Sequence, residues 1–201
     1  MSETTMNEDL LEHVERKSLE SREFGFWVYL MTDAIIFALL FASYVVLSKN
    51  SAAGPTSKDV FDLSHTAGET ALLLFSSLTF GLATIAMSLG QTGRVVQWLF
   101  VTLALGLGFL AMEMIEFSGM IGQGAGPETS GFLSAFFTLV GTHGLHVAFG
   151  VIGICVMIGQ VLVKGLTIPV RSRLFRLGLF WHFLDIVWIG IFSVVYLPGV
   201  M

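Results

Sequence analysis

Five stretches of the chain are almost wholly apolar, and polar or turn-forming residues separate them. They run from about Phe24 to Leu47, Gly68 to Leu89, Val95 to Ile121, Phe132 to Val163 and Leu174 to Leu197. Each is near or above the ~20 residues needed to cross a bilayer. In hydrocarbon every backbone N–H and C=O needs an internal partner, so the pattern predicts five transmembrane helices. The expected fold is all-α, a polytopic membrane helical bundle occupying residues 24–201. The fourth stretch is longer than one crossing needs, which predicts a tilted or projecting helix.

The connections are read from turn chemistry. Asn50–Thr66 is a polar loop with a Gly54-Pro55 turn, Gln91-Thr92-Gly93-Arg94 is a tight turn, Gly122–Pro127 is another, and Lys164–Arg173 is a loop containing Pro169. Residues 1–23 are polar and predict a short interfacial helix leading into the membrane, with no legible chemistry. Trp27 and Tyr29 stand where interface anchors belong.

Composition agrees with the pattern. The 201 residues are 54% hydrophobic and only 12% charged, about half the charge of an ordinary soluble domain. The net charge of −5 comes largely from the first 23 residues, which hold seven of the 15 acids, and it says little about partners. Without a basic cluster or stacking platform outside the membrane, nucleic acid is not an expected partner. Cys155 is the single cysteine, so no intrachain disulfide can form. The N-terminus lacks the pattern of a cleaved signal peptide and is read as mature.

Orientation follows from the ten basic residues. With the N-terminus inside, Arg16, Lys17, Arg22, Arg94, Lys164, Arg171, Arg173 and Arg176 are cytoplasmic, and only Lys49 and Lys58 are outside. The positive-inside rule therefore predicts a cytoplasmic N-terminus, including segment 1–23, and an external C-terminus.

Ionisable residues inside spans are costly and suggest either a functional site or a buried pairing. Here they are Asp33, Glu113, Glu116, His143, His146, His182 and Asp185, with Glu69 at a boundary. His143 and His146 lie on one helical face about 60° apart, in a stretch whose pairs Gly131/Ala135 and Gly144/Ala148 admit close helix approach. Two such imidazoles can share a metal ion. A di-metal bundle, however, normally uses Glu-x-x-His, and this chain offers Glu113-x-x-Glu116 and His143-x-x-His146. The balance favours histidines hydrogen-bonded to neighbouring helices.

His182 and Asp185 also share a face, with Trp181 and Trp188 able to pack nearby, and structural pairing is favoured over a proton relay. Glu113 and Glu116 lie near a membrane surface where water reaches them, so neither need be buried. Asp33 is about ten residues deep in its span, which leaves open a hydrogen bond across helices or a proton-related site. A Ser-His-Asp hydrolase is disfavoured because no Gly-x-Ser-x-Gly elbow is present.

Two segments carry a resemblance. Gly141–Val147 (GTHGLHV) and Trp181–Tyr196 (WHFLDIVWIGIFSVVY) resemble signature segments of subunit III of the haem–copper respiratory oxidases. GFWVYLMTDAIIFALLFASY in the first span, MEMIEF in the third and SGFLSAFF leading into the fourth extend the likeness, in the family's order, over everything from residue 24. The five-span form, without the two extra N-terminal helices of longer relatives, is most like the bacterial cytochrome bo-type ubiquinol oxidase branch.

The resemblance implies a supporting subunit of a proton-translocating terminal oxidase, in the aerobic respiratory chain of a bacterial inner membrane. In that family subunit I holds the haems and copper and reduces oxygen. Subunit III binds no redox cofactor, packs against subunit I alongside subunits II and IV, holds phospholipid in a cleft and sustains proton uptake. By position, Asp33 matches an acidic site of the first core helix and Glu116 that of the third. His143, His146, His182 and Asp185 match buried polar positions. Together with Glu69, Glu113, Trp181 and Trp188 these are the candidate structural or lipid-cleft residues, and no catalytic, haem-binding or metal-ligating residue is expected. Two other readings stand beside this one. One is a stand-alone membrane metal enzyme built from His143, His146, Glu113 and Glu116. The other is a small transporter, against which the absence of repeats and of broken helix pairs argues.

Overall fold

A computed structural model describes residues 3–48 and 63–200, so the Gly54-Pro55 turn and most of the Asn50–Thr66 loop lie outside the described residues. The elements are α1 (Glu3–Leu47), α2 (Leu63–Ser88), α3 (Thr92–Gly122), α4 (Gly131–Lys164) and α5 (Ile168–Ile191). A π-helical turn, Phe192–Tyr196, carries α5 into the short α6 (Leu197–Val200). Five helices are long and apolar enough to cross a membrane, and the described residues contain no strand. The all-α, five-span expectation is met.

Its boundaries differ in instructive ways. The separate interfacial helix expected in residues 1–23 is instead continuous with the first span, since α1 begins at Glu3. The turn expected at Gln91–Arg94 closes earlier. Gly90 takes a left-handed φ of 70°, and the Gln91 N–H reaches back to Ala86 O at 3.0 Å, so α3 starts at Thr92. The loop expected over Lys164–Arg173 shrinks to Gly165–Thr167. Pro169 does not break the following helix but sits in its first turn, where no intrahelical N–H bond is lost. The start of α4 is fixed by Ser130, whose hydroxyl accepts the Leu133 N–H at 3.2 Å.

Residues up to Ile36 form one compact unit and Phe37 onward a second. Within the first, the Thr32 hydroxyl donates to Tyr29 O at 2.6 Å, and the Phe26 and Tyr29 rings lie 5.9 Å apart.

In the second unit α2 packs on α3, α3 on α4, α4 on α5, and α5 back on α2. The end of α1 joins this cycle through aromatic contacts: Phe37 with His143, His146 and Phe183, and Tyr44 with Phe132. Glycines set the closest approaches. A Cβ at Gly106 would stand 2.9 Å from Trp181 Cη2, and one at Gly150 would stand 2.8 Å from Cζ3 of the same ring. The indole of α5 thus fills a slot that α3 and α4 leave by lacking side chains.

Candidate functional site

The polar residues of the second unit form two groups at different depths. The deeper group lies between α2 and α5. The Trp181 indole N–H donates to Ser76 Oγ at 3.0 Å, and Ser76 in turn donates to Leu73 O at 2.7 Å. Trp188 repeats the arrangement two turns on, donating to Thr70 Oγ1 at 3.1 Å while Thr70 donates to Thr66 O at 2.8 Å. Between the two tryptophans, His182 Nδ1 lies 2.7 Å from the Ser77 hydroxyl. Asp185 draws on the same serine, and its Oδ1 has no hydrogen-bond partner among the described residues. His182 and Asp185 do interact, but the closest partner of the histidine is the serine across the interface.

His143 and His146 do not behave as a pair. His143 is fully buried at 0% exposure. Its ring lies against Trp188 (centroids 5.2 Å apart, planes at 30°), and Phe109 meets it edge-on at 5.9 Å. Neither ring nitrogen has a hydrogen-bond partner among the described residues. Aromatic packing, not the expected interhelical hydrogen bond, therefore holds it. His146 Nδ1 donates to Thr142 O of its own helix at 2.7 Å and so bonds within α4. Asp33, in the first unit, is buried, and Tyr29 one turn earlier bonds its carboxylate.

The second group corrects the sequence reading most. Glu113 is buried rather than water-exposed, and Glu69, placed at a span entrance, has 0% exposure. Starting α2 at Leu63 puts Glu69 inside the helix, facing Glu116 and Glu113 of α3 closely enough that the three carboxylates act on one another electrostatically. Gly144 of α4 leaves them room, because a Cβ there would fall on the Glu113 carboxylate.

Tyr196 donates its hydroxyl to Glu116 Oε2 at 3.2 Å. His65 Nδ1 lies 3.6 Å from Glu69 Oε1. Sequence reasoning missed His65, since it fell in the expected loop, although the His65-x-x-x-Glu69 spacing was a usable signal. Tyr196 had no such signal. Among the described residues, His65, Glu69 and Glu116 are the one trio whose ligand atoms converge. The set His143, His146, Glu113 and Glu116 does not come together as a metal centre.

The family model for cytochrome c oxidase subunit III matches residues 2–200. The chain is 54% identical over 177 residues to the cytochrome bo(3) ubiquinol oxidase subunit 3 of Pseudomonas putida, covering 88% of this chain and 86% of that one. It is 43% identical over 196 residues to the subunit of the same name from Buchnera aphidicola, covering 98% and 95%. The quinol oxidase subunit 3 of Bacillus subtilis is 42% identical over 175 residues, covering 87% and 86%.

Proposed function

Because the chain belongs to the cytochrome c oxidase subunit III family and is a multi-pass membrane protein, we propose that it is the non-catalytic third subunit of a bacterial ubiquinol-oxidising terminal oxidase. The observation that carries this reading is the likeness to ubiquinol oxidase subunits over nearly the whole chain. In this role it packs on the haem- and copper-bearing subunit I, in company with subunits II and IV. Bound phospholipid fills the remaining gaps, and the chain sustains proton-coupled oxygen reduction without taking electrons itself. The host membrane is the bacterial inner membrane, with segment 1–23 on the cytoplasmic side and residues 24–201 as the membrane domain.

The interior described above suits a scaffold. Trp181, His182 and Trp188 are each tied to a hydroxyl of α2, and His143 is walled by aromatic rings. Such groups hold helices in register. Outward, α3 presents Leu107, Met114 and Ile115 and α4 presents Leu145, Phe149 and Ile152, apolar surface suited to lipid or to helices of another chain.

The test is purification in mild detergent, followed by an optical spectrum and identification of accompanying chains. Haem absorbance together with a large co-purifying membrane chain is the expected result. A chain that purifies alone and without colour from aerobically grown cells overturns the proposal.

A further inference from the structure

We propose that His65, Glu69 and Glu116 form a binding site for one divalent metal ion of the zinc class, at the end of the bundle where α2 begins and α3 ends. Ligand atoms of the three residues all lie within 4.8 Å of one another, and His65 Nδ1 to Glu69 Oε1 is 3.6 Å. Around a tetrahedral zinc ion, nitrogen and oxygen donors at about 2.1 Å stand about 3.4 Å apart. The His65–Glu69 pair already stands near that separation, and Glu116, within 4.8 Å of both, closes on such an ion by moving inward.

The second observation is independent of spacing. Glu69 has 0% exposure, yet neither of its oxygens has a hydrogen-bond partner among the described residues, and the same holds for His65 Nδ1 and Glu113 Oε1. Buried polar atoms are nearly always satisfied, and leaving them unpaired away from water is costly. A cation among the unpaired atoms satisfies them together and offsets the mutual repulsion of the carboxylates.

The surroundings fit an ion that enters from water. His65 and Glu116 line a cleft of about 220 Å³, together with Gly119 and Gln123. His65 is the first residue of its membrane-spanning segment. The Tyr196 hydroxyl holds Glu116 Oε2, the kind of outer contact that orients a ligating carboxylate. One imidazole with carboxylates selects zinc-like ions over calcium or magnesium, which take all-oxygen sets. A water entering from the cleft would complete the coordination. The expectation of a chain without a metal ion rested on the missing Glu-x-x-His motif and on the family resemblance, and His65 played no part in it.

The test uses the full chain with whatever chains accompany it. The protein is stripped with EDTA, reloaded with zinc chloride and desalted, and zinc is counted per mole of chain by mass spectrometry. The native protein should retain about one zinc ion more than either Glu69→Gln or His65→Asn, and zinc should raise its melting temperature but not theirs. Equal zinc in native and variant proteins, or no zinc held by the native protein, overturns the proposal. If Glu69→Gln does not accumulate, His65→Asn, at the partly exposed rim of the cluster, decides alone. The count is normalised to chain and not to haem, so the outcome is independent of whether the chain proves to be an oxidase subunit.

Discussion

The Trp181 indole N–H and the Ser76 hydroxyl meet at 3.0 Å across the interface of α5 and α2. The same interface carries Trp188 on Thr70 and His182 on Ser77. From Trp181 to Trp188 the partner on α2 moves back from Ser76 to Thr70, as an antiparallel pair requires. Ser76→Ala should weaken the pair by about 0.6 kcal/mol, the usual size of an interhelical hydrogen bond in a membrane. A double-mutant cycle with Trp181→Phe, read by thermal denaturation, should recover a coupling of that order. Additive effects would show that packing alone holds the indole.

Gly150→Ala places a methyl group 2.8 Å from Trp181 Cζ3. In a packed interior such overfilling costs about 1–3 kcal/mol, so the variant should melt lower and accumulate less. Trp181→Leu in the same chain should restore part of the loss. Failure of the second substitution to rescue the first would show that the slot does not constrain the ring.

A parallel clash governs the carboxylates. Gly144→Ala should displace the Glu113 side chain, and Glu113→Ala should relieve the strain. Yield of the folded chain in detergent reports both, and the double variant is expected to exceed Gly144→Ala alone.

His143→Phe should be tolerated within about 1 kcal/mol, because it removes two buried nitrogens without partners and keeps a ring among Phe37, Phe109 and Trp188. A loss of several kcal/mol in melting experiments would mean that those nitrogens have a partner in the assembled membrane.

Orientation can be checked directly. The eight-to-two division of basic residues requires a reporter fused after Met201 to be external and one inserted at Leu166 to be cytoplasmic. The reverse pattern would sink the charge argument.

Much of this was legible in the sequence. Length and hydropathy alone locate five spans, because a bilayer admits few alternatives. The ends were less legible: Pro169 reads as a loop residue until one asks whether it stands in a first turn, and Gly90 rather than Gly93 makes the sharp bend between α2 and α3. Glu69, Glu113 and His65 show the larger difficulty. A carboxylate near the predicted end of a span looks wet, and only the neighbouring helix, here with Gly144 opposite Glu113, determines that it is dry. Cross-helix partners such as Ser76 and Thr70 carry no sequence mark, since a serine in an apolar span usually bonds its own helix, and these do so as well.

The π-helical turn at Phe192–Tyr196 has a consequence for chain length. Counted at the α-helical step, Tyr196 lies about 80° around the axis from Trp188, yet their rings are 6.1 Å apart. The wider turn winds the chain back and returns Tyr196 to the tryptophan's face, within reach of Glu116. The segment in effect holds one surplus residue. Losing one residue there would leave an ordinary α-helix with its aromatic seam still aligned, whereas gaining one would turn the phenol away from the carboxylate. Length variation in this helix is therefore tolerable in one direction only.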